Sequence, residues 1–114
     1  MENIKEALIS KINLTDKEAQ IFLFLIINGE STVASISAAL ELTLEESEQV
    51  LCDLLEKGLI LELSGKYQTF HPKFSIINAY RRHCQKMGIE FKKNLQIDGL
   101  ASSLERIQES ARTK

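Results

Sequence analysis

The 114-residue chain has no tryptophan, one proline and only two cysteines. Cys52 and Cys84 are too few and too far apart for a disulfide framework, and a reducing compartment keeps them as thiols. The longest uninterrupted apolar run, Ile21 to Ile27, is seven residues. About 20 are needed to cross a bilayer, so no membrane span is expected. The opening Met1-Glu2-Asn3-Ile4-Lys5-Glu6 lacks the basic and apolar regions of a secretory signal, which places the expected location in the cytoplasm. Gly-rich phosphate loops, nucleophile elbows and paired catalytic carboxylates are all missing, so neither an enzyme nor a cofactor is expected. His71, His83 and the two cysteines are the soft metal ligands. None has short ligand spacing, and the adjacent His83 and Cys84 point apart on a helix, so no metal site is expected. Cys84 reads as a small apolar-face residue, and Cys52, nearer the surface, as the more reactive thiol.

What is present describes one folded domain. Hydrophobic residues make up 44% and charged residues 26%, close to the globular average, and a chain of this size buries about two-thirds of its unfolded surface. The formal charge of −2 hides a division. Residues 1–56 carry three lysines against eleven acids, a formal −8, whereas residues 57–114 carry eleven lysines and arginines against five acids, a formal +6. Such asymmetry points to an anionic partner for the second half, an internal complementarity, or both.

Ile4, Leu8 and Ile12 form the stripe of a short amphipathic helix over Glu2 to Ile12. Thr15-Asp16-Lys17-Glu18 fits a capping box that starts a second helix, apolar nearly all round and stopped by Asn28-Gly29. A third helix over Thr32 to Leu40 places Val33, Ile36, Ala39 and Leu40 on one face, capped by Ser31 or Thr32. Thr43-Leu44-Glu45-Glu46 repeats the capping signature and opens a fourth helix with Val50, Leu51, Leu54 and Leu55 inward and Gly58 at its end. Leu59 to Leu63 and Lys66 to Phe70 then flank Ser64-Gly65, the pattern of a two-stranded hairpin. Pro72 suits the first turn of a fifth helix. There Ile77, Tyr80, Cys84, Met87 and Phe91 recur at spacings of 3, 4, 3 and 4, a heptad-like seam. Leu100, Leu104, Ile107 and Ala111 mark a last helix after Asp98-Gly99, and residues 111–114 are expected to fray.

Helices followed directly by a hairpin give a mainly α fold with a small β-hairpin, the order of a winged helix-turn-helix domain over residues 1–72. A C-terminal helical dimerisation segment follows over residues 73–114. The residues themselves carry a resemblance. Leu14-Thr15-Asp16-Lys17-Glu18-Ala19, Gly29, Thr32, Ile36, Val50-Leu51, Leu54 and Glu56-Lys57-Gly58-Leu59-Ile60 resemble the winged-helix domain of archaeal TrmB-like transcriptional regulators over roughly residues 14–72. The resemblance implies a homodimeric regulator whose fourth helix enters the major groove of double-stranded DNA and whose wing touches the backbone. Two departures stand out. At 114 residues the chain has no room for the large effector domain of sugar-responsive members, so effector sensing is not expected. Where the family commonly has Pro-Arg-Ser-Lys at the start of the recognition helix, this sequence has Thr43-Leu44-Glu45-Glu46.

With Val50, Leu51 and Leu54 inward, helical spacing turns Glu45, Glu46, Glu48, Gln49, Cys52 and Asp53 outward. Four of these six are acids, which repel phosphates; Glu45 and Glu46 also suit the positive end of the helix dipole. Candidate DNA contacts are Thr32 and Thr43 at helix starts, Gln49 as base reader, Lys66 and Tyr67 on the wing, and Lys73 beyond it. Arg81, Arg82, Lys86, Lys92 and Lys93 either extend a phosphate-following stripe in a dimer, solubilise the seam, or pair with the acidic half of a partner subunit. Tyr67 and Phe70 either stack on bases or pack on the core. Ile77, Tyr80, Cys84, Met87 and Phe91 are the candidate dimer interface, the alternative being a helix that closes its own domain. A different class of function also fits: an interaction module whose acidic fourth helix binds a basic protein, within the transcription machinery.

Overall fold

The computed structural model describes residues 4–92 and 94–112, and it opens with α1 (Ile4–Ile12) and α2 (Asp16–Asn28). The expected start of α1 at Glu2 lies outside the described residues. Thr15 caps α2 reciprocally: its hydroxyl accepts from the Glu18 amide at 3.2 Å, and Glu18 Oε1 accepts from the Thr15 amide at 2.8 Å. β1 (Ser31–Thr32) leads into α3 (Val33–Leu40), where the Thr32 hydroxyl accepts from the Ser35 amide. α4 (Leu44–Glu56) starts with the second capping box, between Thr43 and Glu46. Apolar faces then decide the packing. Leu8, Phe22, Leu25, Ile36, Leu51 and Leu54 are buried in one core shared by the first four helices.

β2 (Ile60–Leu63) and β3 (Lys66–Thr69) form the expected hairpin, pairing Ile60 with Thr69 and Leu63 with Lys66. The sheet, however, has three strands in the order β1-β3-β2, because Ser31 and Thr32 pair antiparallel with Tyr67 and Lys66. A two-residue strand has no hydrophobic alternation for a sequence to display; only backbone hydrogen bonds to a distant segment make it a strand.

α5 (Pro72–Met87) is fastened to the end of α4. Asn78 Nδ2 donates to the Gly58 carbonyl at 2.8 Å, and Arg82 donates to the Glu56 carbonyl. Gly58 has φ of +76° and no room for a side chain, since a Cβ there would lie 2.3 Å from Asn78 Nδ2.

The C-terminal region departs from expectation at three points. The helix expected to run through Phe91 ends at Met87: Gly88 takes φ of +72°, and the Ile89 amide closes the end on the Cys84 carbonyl at 3.0 Å. The last helix begins earlier than Asp98-Gly99. α6 (Leu95–Arg112) starts after Asn94, whose side-chain oxygen accepts from the Gln96 and Ile97 amides at 2.9 and 3.3 Å. Gly99 therefore sits within α6, with open space where its side chain would be. Third, α6 packs on α1, α2 and α5 of its own chain and buries Ile97, Leu100, Ala101 and Leu104. Of the expected frayed tail, residues 111 and 112 are helical and residues 113 and 114 lie outside the described residues.

Candidate nucleic-acid interface

The α4 stripe works as its spacing requires. Ser47, Val50, Leu51 and Leu54 are buried, Glu45, Glu48, Gln49 and Cys52 are exposed, and Glu46 and Asp53 are half-buried. The outward face thus carries four carboxylates around Gln49, whose amide donates to Asp53 Oδ1 at 3.2 Å. One of the four is neutralised from the neighbouring helix: Lys17 of α2 pairs with Glu46. That hydrogen bond, with a second from the Thr43 amide, holds the Glu46 carboxyl below the ordinary glutamate range.

The two threonines are both committed to caps. Besides accepting from helix amides, the Thr32 hydroxyl lies 3.1 Å from the Ser35 hydroxyl and the Thr43 hydroxyl 3.4 Å from Glu46 Oε1. Across the sheet, Thr32 stands opposite Lys66 and Ser31 opposite Tyr67. Lys66 is exposed, with its ammonium 3.4 Å from Glu30. Tyr67 is half-buried and packs against the core. Burial raises its phenol above the ordinary value of 10.0, and the Glu62, Cys52 and Glu48 side chains raise it further. The tyrosine therefore sits on the inner side of the wing, against the core.

Lys73 lies apart from this group, on the first turn of α5. Its ammonium is 3.8 Å from Glu105 of α6, which also receives His71 Nε2 at 3.0 Å. Arg81 donates to Asn78, and Lys92 stands 3.5 Å from Glu90. Arg82 is occupied by the Glu56 carbonyl, and Lys86 is exposed. Lys93 lies outside the described residues. The fold thus sets Thr32 opposite Lys66 in the sheet and packs Tyr67 on the core, with Thr43 at the start of α4 and Lys73 beside α6. The acids that answer the basic residues, Glu30 for Lys66 and Glu105 for Lys73, come from distant segments and have no local sequence signal. Of the aromatics, Tyr67 packs on the core, while Phe70 pairs edge-on with Phe74 at 5.1 Å between ring centres.

In the candidate seam, Cys84 has no exposed surface and Tyr80 is half-buried, its hydroxyl accepting from Asn94 at 3.3 Å and its ring 5.9 Å from Phe91. Ile77, Met87 and Phe91 are exposed. Phe91 lies past the helix end, so the five residues do not share one helix face here. Among the described residues, no three His, Cys, Asp or Glu side chains group as metal ligands, and no helix is long and apolar enough to cross a membrane.

The family model described as the sugar-specific transcriptional regulator TrmB matches residues 8–74, from within α1 to the first turn of α5. No curated protein and no solved structure matches the chain.

Proposed function

The chain belongs to the TrmB family of transcriptional regulators, and from that premise we propose that it acts as a homodimer that binds double-stranded DNA through α4 and the wing. The observation that carries this reading is the winged-helix order itself, in which α4 presents an exposed Gln49 and the β2–β3 hairpin that follows it presents an exposed Lys66. Gln49 is the base reader, since its amide can pair with an adenine edge. Lys66 and Lys73 are the phosphate contacts, and Thr32 and Thr43 stand at the capped starts of α3 and α4.

A second reading rests on the four carboxylates of the same α4 face, which suit a basic protein better than a phosphate backbone. A mobility shift on random duplex DNA across a salt series separates the two. Binding at low salt that weakens as salt rises is the expected result. Absence of binding at low salt refutes DNA recognition and leaves the protein-binding reading. Gln49→Ala should reduce discrimination between sequences while leaving non-specific affinity unchanged.

A further inference from the structure

We propose that the homodimer forms by exchange of α6, with α5 and α6 of each chain joined into one helix through the connection that the described fold bends back on. The inference rests on the homodimer reading above and names its interface. Spacings of 3, 4, 3 and 4 from Ile77 to Phe91 are the period of one helix packed on another. The pattern runs unbroken past Gly88, where the hairpin stops. In the described fold it is split. Cys84 is fully buried and Tyr80 half-buried, while Met87, Ile89, Phe91 and Leu95 are 62%, 53%, 46% and 79% exposed. Met87, Phe91 and Leu95, spaced four apart, share one face of a continuous helix, and that exposed face is what a second copy covers.

A second copy covers it on exchange. Contacts that α6 makes with α1, α2 and α5 are kept, now against the partner's helices, while the connection's own contacts, Phe91 on Tyr80 and the Ile89 amide on the Cys84 carbonyl, give way to the new interface. Tyr80 and Cys84 then face the partner's α6, and the whole seam becomes interface. The register also fits. An antiparallel crossing centred on Phe91 sets Phe91 against the partner's Phe91, Met87 against the partner's Leu95 and Glu90 against the partner's Lys92. The Glu90–Lys92 pair, 3.5 Å apart within one chain, becomes reciprocal between chains. Gly88 is the hinge: its φ of +72° holds the bend, and alanine there, strained at that φ, favours the straight helix instead.

The test measures one distance and one oligomeric state. Spin labels are placed through Lys73→Cys and Arg106→Cys in a Cys52→Ser, Cys84→Ala background, with labelled chain co-refolded into about a tenfold excess of unlabelled chain so that the signal is intrachain. Lys73 lies 3.8 Å from Glu105 across the hairpin, which keeps the labels within about 20 Å, two helix diameters. In one continuous helix their 33-residue separation spans about 50 Å. A dimer by light scattering with the distance near 50 Å is the expected result. A dimer showing only the short distance overturns the exchange and leaves the homodimer standing, and a monomer at every concentration overturns both. Gly88→Ala should lower the dimer dissociation midpoint about tenfold or more, because alanine is strained in the left-handed bend and favoured in a helix. An unchanged or weaker dimer overturns the hinge.

Discussion

Removing Lys57 should expose how much of this domain hangs on one ion pair. Glu18 is a capping residue at the start of α2 whose side chain is only 3% exposed. Its Oε1 accepts from the Thr15 amide at 2.8 Å and from Lys57 Nζ at 2.7 Å, and Lys57 also reaches the Asn13 carbonyl at 3.4 Å. Lys57→Met keeps the length of the stem and removes the charge, leaving a buried carboxylate with one neutral donor. Breaking a fully buried pair from one side costs about 3–5 kcal/mol. The Lys57 side chain keeps 35% of its exposure, so water enters the vacated end, and the cost falls to about 2 kcal/mol. With an unfolding entropy of about 2.1 cal/mol/K per residue, 114 residues convert that to a Tm lower by about 8 °C. Glu18→Gln leaves Lys57 free to turn to solvent and should cost about 1 kcal/mol. The double variant should then be more stable than the sum of the two single changes by about 1 kcal/mol or more. Urea denaturation followed by circular dichroism measures all three. A Lys57→Met variant within about 0.5 kcal/mol of the parent, or strictly additive costs, would refute the reasoning.

Gly58→Ala should cost about 2–4 kcal/mol, since φ of +76° and contacts of 2.3 and 2.8 Å to Asn78 and Arg82 act together. Gly65→Ala, with φ of +79° and open space around it, should cost only the backbone strain of about 1–2 kcal/mol, and equal losses would show that the Asn78 clamp does nothing. The Glu46 carboxyl should titrate below the ordinary glutamate range by NMR and move up in Lys17→Ala, because the Lys17 hydrogen bond is its largest cause. A depressed folded value means stability that is present above the ordinary glutamate pKa and lost as pH falls through the lowered one; Lys17→Ala should flatten that loss. Of the two tyrosines, Tyr67 should ionise above 10.0 in an absorbance titration, with burial the first cause and Glu62 the second. Glu62→Gln should bring it part of the way back.

How far the sequence announced this depends on the range of each interaction. Thr15 with Glu18 and Thr43 with Glu46 act over three residues, so both capping boxes were legible as letters. The inward faces of α2 and α4 were legible because burial follows helical period, and one large core rewards it. Ser31 and Thr32 were not legible as a strand, because their partners Tyr67 and Lys66 lie some 35 residues on. The end of α5 is not legible, because the apolar spacing continues to Phe91 while Gly88 breaks the backbone. Gly99 misled in the opposite direction: it read as a helix start, yet its side faces open space, where a helix tolerates glycine at about 1 kcal/mol. At the candidate interface the exposed residues were legible, but their acidic partners were not, since ion pairs between segments leave no periodic trace.

Those ion pairs decide which lysines a phosphate can recruit. Lys57 cannot be recruited, because releasing it strands the buried Glu18. Lys66 and Glu30 are 53% and 44% exposed at 3.4 Å, and Lys73 faces a less exposed Glu105 at 3.8 Å. Surface pairs of this kind are worth about 0–1 kcal/mol, so redirecting either lysine to a phosphate gives up little. Each recruited lysine releases condensed counterions, and log K falls with log salt by about 0.9 per phosphate neutralised on B-form DNA. In the proposed homodimer, two lysines on each of two protomers would account for a slope of about −3.6. Changing Lys66 and Lys73 together to Ala should flatten the measured slope by about that amount on every duplex sequence alike, in a mobility-shift series from low to moderate salt. A slope that stays as steep would mean the phosphates are held elsewhere, on Arg81 and Lys86 of α5, and would move the DNA away from the wing. A change of about half the expected size would place only one of the two lysines on the backbone, and the single variants would show which.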